Sequence, residues 1–64
     1  MKAIPVDVYD SEGNMTKIEA QDANGDHIAD FLWDPQDEQT SQKRIEFRAF
    51  TYRFLEQKGY EVDR

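Results

Sequence analysis

Few side chains in this sequence could carry catalysis. His27 is the only histidine and there is no cysteine, so a thiol nucleophile, a disulfide and a thiolate or multi-histidine zinc site are excluded. A Ser-His-Asp set would need Ser11 or Ser41, and neither lies in a nucleophile-elbow motif. No glycine-rich phosphate loop is present, so no cofactor is expected. The sequence predicts that the protein is not an enzyme and that it works by binding.

Carboxylates are the most abundant chemical groups, and they are unevenly spread. Residues 1–42 hold ten acidic residues against Lys2 and Lys17, while residues 43–64 carry a net charge of +2 within a total of −6. Such a chain is repelled by nucleic acid over most of its surface. We therefore expect a protein partner, preferably a basic one, and an adaptor or inhibitor role. A carboxylate array could also imitate DNA phosphates, as in small accessory proteins of phages and mobile elements, which is an analogy from size and charge.

The segment from Asp22 to Asp26 offers an alternative, because oxygen-bearing side chains occupy alternate positions. It resembles the opening of an EF-hand calcium loop, with Asp30 at the ninth position. That loop needs a glycine at its sixth position and a bidentate glutamate at its twelfth, where this chain has His27 and Trp33. Without the glutamate, charge and coordination are too low for calcium binding to be the main prediction, and no metal ligand is assigned.

A nucleic-acid-binding module is the other alternative. Lys43, Arg44, Arg48 and Lys58 fall within one sector of the predicted helix, as in a basic helix that follows a phosphate backbone. Since the total charge is −6, we favour the view that these basic residues form ion pairs with the acidic sheet, within one molecule or across a homodimer.

Three segments alternate in the two-residue period of a half-buried strand, namely 3–9, Met15–Gln21 and His27–Trp33. A turn cluster at 10–14 and the hairpin dipeptide Asn24-Gly25 separate them. The sequence thus predicts an α+β fold in one domain over residues 1–64, a three-stranded antiparallel meander followed by one C-terminal helix. A short fourth strand at 60–64 beside the first is allowed by the alternation there.

The two turns predict a register. A two-residue loop at Asn24-Gly25 places Ile18 opposite Phe31, and a five-residue loop at 10–14 places Val6 opposite Ile18. Both registers collect one apolar set on the face that the helix should cover. That set is Ile4, Val6, Val8, Ile18, Ala20, Ala29, Phe31 and Trp33.

The helix is expected to start between Pro35 and Ser41 and to end at Lys58, with Gly59 in the left-handed position just past it. A stripe of phenylalanines should pack on the sheet, while an opposite stripe that includes Ile45 and Tyr52 has no predicted cover. The stripe consists of Phe47, Phe50 and Phe54.

Two surfaces are therefore candidates for partner binding. The outer sheet face should carry the rows Pro5–Glu19–Asp30 and Asp7–Lys17–Leu32, with Tyr9 and Met15 nearby, and the helix should offer its uncovered side. The candidate residues are Asp7, Tyr9, Glu19, Asp30, Leu32, Ile45, Arg48 and Tyr52.

Length and composition limit the setting. A 64-residue chain buries only about 60% of the surface that its unfolded form exposes, so the core is small and self-association is attractive. No segment approaches the ~20 apolar residues of a membrane span, and the N-terminal residues become charged too early for a signal peptide. The absence of cysteine is consistent with a reducing cytoplasm, which is the expected location.

Overall fold

The computed structural model of residues 1–64 contains a four-stranded sheet and one helix. The elements are β1 (Lys2–Tyr9), β2 (Met15–Gln21), β3 (His27–Leu32), α1 (Ser41–Gln57) and β4 (Glu61–Val62). The strand order is β3-β2-β1-β4, with β1, β2 and β3 antiparallel and the two-residue β4 parallel to β1. The predicted α+β fold, three antiparallel strands followed by a helix, is confirmed, and the short fourth strand lies beside the first.

The two hairpin loops are built in the same way. In each, the Oδ1 atom of an aspartate, Asp10 or Asp22, accepts hydrogen bonds from the amides two and four residues later. The third residue after each aspartate is a glycine, Gly13 or Gly25, with φ of +84°, a conformation that glycine adopts without steric cost. Each loop is thus a turn that ends in a left-handed glycine, twelve residues from its copy.

A β-bulge follows each loop and decides the register. Between β2 and β3 the extra residue is Ile28, so the pairing of Ile18 with Phe31 is as predicted. Between β1 and β2 the extra residue is Thr16, which leaves Tyr9 opposite Met15 as predicted but shifts every later pair by one. Val6 therefore pairs with Glu19 rather than with Ile18, and the predicted β1 register is wrong.

The shift turns β1 over, because successive side chains of a strand point to opposite faces. Ala3, Pro5 and Asp7 face the helix, and the predicted core residues Ile4, Val6 and Val8 face away from it; their rows contain Gln21, Glu19 and Lys17. Burial agrees, since Ala3 is fully buried and Val6 is 37% exposed.

The core is small and lies between the sheet and α1. Only seven residues are buried, in two clusters joined by the half-buried Phe31. One cluster consists of Ala3, Ala20 and Leu55, and the other of Met15, Ile18 and Trp33. The remaining buried residue, Thr51, donates its hydroxyl hydrogen to the carbonyl of Phe47.

Both ends of α1 carry local stop signals. Thr40 is the N-cap, and its side chain accepts a hydrogen bond from the amide of Lys43, so the helix starts at the late limit of the predicted range. At the other end Gly59 has φ of +93°, and the amide of Tyr60 donates to the carbonyl of Leu55. This is the predicted Schellman ending.

The segment between β3 and α1 is tied to the sheet by side chains. The Gln39 amide group pairs with the backbone of Met15 in both directions, at 2.9 Å and 2.7 Å. The Trp33 indole donates to the carbonyl of Asp37 at 3.1 Å. Asp34 caps a separate turn, in which its Oδ1 accepts a hydrogen bond from the amide of Gln36. These contacts fix the approach of α1.

The face that α1 presents to the sheet is rotated from the predicted one. Thr51 and Leu55 are buried at its centre. Phe47 and Phe54 lie on the side of the helix towards β3, in edge-to-face contact with Trp33 and Phe31 at 5.1 Å and 5.3 Å. Phe50 lies further out and is 53% exposed, so the phenylalanine stripe packs only in part.

Candidate functional site

The sheet face that α1 leaves uncovered is the first candidate surface. We call it the open sheet face and define it by two apolar groups and one charged group. The residues are Ile4, Val6, Val8, Leu32, Lys17, Glu19 and Asp30. It differs from the predicted outer face because Val6 and Val8 replace Pro5 and Asp7 in the rows of Glu19–Asp30 and Lys17–Leu32.

The charged group neutralises itself in large part. Lys17 Nζ lies 3.4 Å from Glu19 Oε1 and 3.3 Å from Asp30 Oδ1, and His27 Nε2 lies 3.1 Å from the same Asp30 oxygen. The predicted like-charge row of Glu19 and Asp30 is therefore present, but a lysine bridges it. This face is not a bare array of carboxylates.

The pKa values reflect this bridging. Hydrogen bonds to Asp30, and then to Glu19, raise the pKa of Lys17. A hydrogen bond from Gln21, followed by that from Lys17, lowers the pKa of Glu19. Burial acts to raise the pKa of Asp30, but hydrogen bonds from His27 and Lys17 outweigh it, so that pKa is lowered. All three groups are thereby held in their charged forms near neutral pH.

The apolar part of the open sheet face is unusual for an uncovered antiparallel sheet. Such a face usually carries polar residues at the positions that point to water. Here every residue that β1 points outward between positions 4 and 8 is a β-branched aliphatic one, and Leu32 on β3 is 73% exposed. A strip of this kind is the type of surface that a partner covers.

Four of the candidate residues form a second surface, the β1 flank, beside α1. It consists of Asp7, Tyr9, Arg48 and Tyr52. Tyr9 Oη donates to Asp7 Oδ2 at 3.3 Å, and Arg48 Nη2 donates to the same oxygen. Tyr9 and Asp7 thus lie on the helix side, and the prediction that they lie on the outer face is wrong, because the Thr16 bulge moves them.

The β1 flank is held together by charge. The hydrogen bond to Asp7 raises the pKa of Arg48, and the Arg64 guanidinium lies 4.9 Å from the centre of the Tyr52 ring. The Asp7 side chain is mostly buried, and its Oδ1 has no hydrogen-bond partner. Most polar groups of the β1 flank are therefore paired with one another or with Arg64, and few of them are free for a partner. Met15, expected beside them as an exposed contact, is buried.

The third surface lies on the other side of α1, above the edge strand β3. We call it the phenylalanine flank and define it by Phe31, Phe50 and Phe54. The ring centre of Phe54 lies 5.3 Å from that of Phe31 and 6.5 Å from that of Phe50, and Phe54 is 38% exposed. The helix carries its exposed aromatic rings here, whereas Ile45, predicted as a contact residue, stands 63% exposed on the far side.

Two clefts of about 390 Å³ each flank Trp33, which together with Asp37 contributes to both. One is mainly polar, with Asp10, Asn14 and Gln39 in its wall. The other lies between the sheet and the start of α1, where Lys43 pairs with Asp37. Both are shallow features of the segment that approaches α1.

The residues considered for catalysis or calcium have local roles. His27 pairs with Asp30 on β3, while Ser41 Oγ accepts from Arg44 at the start of α1. The Asp22 carboxylate is used within its own loop. No group of three or more histidine, cysteine or acidic side chains is arranged to hold a metal ion. The helix is neither long enough nor apolar enough to span a membrane.

Comparison with known protein families, curated proteins and solved structures gives no match for any part of this chain.

Sequence reasoning missed two features of these surfaces. It placed Val6 in the core and Phe50 against the sheet, and both are exposed. A signal for the first was present, since the spacing Asp-x-x-Gly occurs at 10–13 and again at 22–25. Had the first loop been treated as a copy of the second, the same two-residue turn would have placed Val6 opposite Glu19, as observed. No comparable signal reports the rotation of α1.

Proposed function

We propose that this chain is a small acidic protein-interaction module that acts as an adaptor or inhibitor by laying its open sheet face on a protein partner. The observation that carries the proposal is the orientation of β1, which turns Ile4, Val6 and Val8 outward and Ala3 and Asp7 inward. For stability alone, the aliphatic residues of β1 would be expected to face α1, and Asp7 would be expected to face water. Departures of this kind from local rules are typical of functional sites.

Charge favours a partner with basic residues around an apolar contact. Residues 1–42, which include the whole open sheet face, carry a net charge of −8 from ten acidic residues and two lysines. The field of such a surface steers a basic partner toward it. The close contact itself is apolar, because Lys17 already answers Glu19 and Asp30. This supports recognition of a protein surface more than imitation of a phosphate backbone.

The experiment compares matched variants in a capture assay. Immobilised wild type, Val6→Glu, Leu32→Glu and Ile45→Glu are each exposed to an extract of the cells that make the protein. Both sheet variants should lose the captured partner by tenfold or more, because a charge in the apolar strip must be desolvated on binding. Ile45→Glu places the same charge on an exposed helix position and should capture as wild type does.

Circular dichroism on all four proteins is the control that checks whether each variant keeps the fold. Equal capture by Val6→Glu and the wild type, with both proteins folded, would rule out the open sheet face as the binding surface. Selective loss in Ile45→Glu would move the site to the helix.

A further inference from the structure

The two edges of the sheet differ in how well they are protected against pairing with a further strand. Beyond the short β4, the outer edge of β1 is blunted by Pro5. The carbonyls of Met1 and Ala3 accept hydrogen bonds from β4, so odd-numbered residues of β1 point their backbone groups to that side, and Pro5 is the next of them. A proline at this position removes the amide that a further strand would use.

The edge of β3 has no such protection over its second half. Trp33 donates its amide to the carbonyl of Thr16 on β2, so Phe31 and Ala29, two and four residues back, also turn towards β2. Asp30 and Leu32, which alternate with them, turn their amide and carbonyl groups outward, where the sheet has no further strand. Two donors and two acceptors are therefore free on this edge.

Exposed aromatic rings stand beside this free edge. Phe50 and Phe54 are 53% and 38% exposed, and they connect through Phe31 to β3. A strand added to the edge would place its own side chain opposite Phe31, directly under these rings. In strand addition the free backbone groups of an edge supply affinity, and the side chains beside that edge supply specificity.

We propose that a second copy of this chain occupies the edge, pairing β3 with β3 antiparallel about a two-fold axis at Phe31. In this register Asp30 of one copy faces Leu32 of the other, which makes four backbone hydrogen bonds and keeps the two aspartates from facing each other. The two Phe31 side chains form the central pair, at the short spacing of a non-hydrogen-bonded pair.

The spacing of the helices supports this occupant. We infer that the axis of α1 passes over β2, because Arg48 pairs with Asp7 on β1 on one side of the helix and Phe54 contacts Phe31 on β3 on the other. In the dimer three strand intervals of about 4.8 Å separate β2 from its copy, so the helices stand roughly 14 Å apart. Bare helix contacts are 8–10 Å, and the gap that remains suits one layer of phenylalanine rings from each copy.

Charges on the same side of α1 also favour two antiparallel helices. Glu46 lies near its beginning, and Lys58, placed 5.5 Å from the centre of the Phe54 ring, lies at its end. A two-fold axis brings each Glu46 towards the Lys58 of the other copy. The repulsion between two chains of charge −6 is screened beyond about 8 Å at physiological ionic strength, so it acts mainly between the charges nearest to the contact.

The contact is small, which sets the expected affinity. The two exposed phenylalanines and one strand edge per copy hide less than the ~800 Å² per partner of a standard interface. The dimer should therefore be weak and dissociate on dilution, with a Kd of roughly 10–100 μM. The dimer contact is made by the backbone edge of β3 and the phenylalanine flank, and Ile4, Val6 and Val8 of the open sheet face take no part in it. Because Asp30 and Leu32 belong to both surfaces, Val6→Glu is the variant that tests the proposed function without touching the dimer edge.

Sedimentation equilibrium of the full chain from about 5 μM to 1 mM, a range that brackets the expected Kd, tests the proposal together with three variants. The wild type should shift from monomer to dimer. Phe50→Glu and Leu32→Pro, the second of which removes one outward amide and leaves the bonds to β2, should weaken the dimer at least tenfold. Ile45→Glu, an equally exposed position on the far side of α1, should leave it unchanged.

Amide hydrogen exchange identifies the edge directly. The amides of Asp30 and Leu32 should exchange at least tenfold more slowly in the dimer than in the monomer, while those of Ala29 and Phe31 should be protected in both. A wild type that stays monomeric at 1 mM would overturn the proposal, even if a foreign strand binds there. A dimer in which Asp30 and Leu32 exchange freely, or which Phe50→Glu leaves intact, would overturn it as well.

Discussion

The two faces of the same sheet are built on opposite principles. The face under α1 is made of small and mixed residues on β1, with Ala3 buried under Leu55 and Asp7 paired with Arg48. The open sheet face has the aliphatic residues of β1, exemplified by the exposed Val6. The covered face thus contributes stability through a few close contacts, and the open one keeps apolar area in contact with water.

This difference shows where stability and function separate in so small a chain. Ala3 allows close approach of the helix to the sheet, because a larger residue would hold α1 away. Val6 is exposed and Ile4 and Val8 are only half-buried, so these side chains stabilise the monomer less than they would in the core, and their outward placement needs another reason. A binding surface is the reason that we propose.

The largest expected effect is on the covered face. Leu55→Ala removes a side chain that is 1% exposed and joins α1 to both β1 and β2, which costs about 2–5 kcal/mol of unfolding free energy. A domain of this size has little more to lose, so urea denaturation followed by circular dichroism should show a largely unfolded protein.

Ile45→Ala is the control for this change, since it shortens a 63% exposed side chain of the same helix and should stay within about 0.5 kcal/mol of wild type. Equal losses for the two variants would mean that α1 does not pack through Leu55.

The next effect separates the two faces of β1 itself. Ala3→Val inserts two methyl groups into a site with no exposed area, and overpacking of this kind costs about 1–3 kcal/mol. Val6→Ala removes two methyl groups from the open sheet face and should cost less than about 1 kcal/mol, because the side chain is partly exposed already.

Thermal denaturation of the two variants measures the difference. The register expected from the turns alone would reverse the order, with Val6→Ala as the more damaging change. The comparison of the two midpoints therefore decides the orientation of β1.

A smaller effect concerns the polar contact of the covered face. Arg48→Ala leaves the mostly buried Asp7 without its cationic partner, and we expect a loss of about 1–2 kcal/mol. The double variant Asp7→Ala, Arg48→Ala should be more stable than Arg48→Ala alone, since the abandoned carboxylate is gone. A double-mutant cycle in urea that gives no coupling between the two positions would contradict a direct contact.

The smallest effect belongs to the charges of the open sheet face. The pKa values of Glu19 and Asp30 are lowered from 4.5 and 3.8. The stability that these two carboxylates contribute is therefore fully present above pH 4.5, and it is lost as the pH falls through their lowered pKa values. The pKa of Lys17 is raised from 10.5, so its contribution is present below 10.5 and is lost as the pH rises through the raised one.

Lys17→Met should therefore reduce the difference in unfolding temperature between pH 6 and pH 3 by a small but measurable amount. Lys2→Met, which removes a lysine that makes none of these contacts, should not. An unchanged pH dependence in Lys17→Met would show that the bridge to Glu19 and Asp30 contributes nothing to stability.

Much of the fold was predictable, because it is written in local signals. Alternation located the three strands within a residue or two, Gly59 marked the end of α1, and the pairing of Ile18 with Phe31 followed from the second turn. The candidate surfaces were predictable only in part. Glu19, Asp30 and Leu32 do share the open sheet face, but Asp7 and Tyr9 do not.

The failures on β1 have one physical source. Strand side chains alternate with a period of two, so the single extra residue at Thr16 exchanges the faces of β1 completely. The extra residue at Ile28 left the predicted pairing of Ile18 with Phe31 unchanged. The loop that forms is longer than the predicted two-residue loop, and the bulge compensates for this difference. A correct register in one hairpin was thus no guarantee for the other.

The sequence by itself determined which segments are strands, where the turns and helix ends lie, and that the chain is acidic over residues 1–42, since each of these depends on neighbouring residues alone. Only the tertiary structure decided which face of β1 meets α1 and which side of α1 meets the sheet. Those choices depend on how closely two elements can approach, and Ala3, Thr51 and Leu55 set that distance only when they are together.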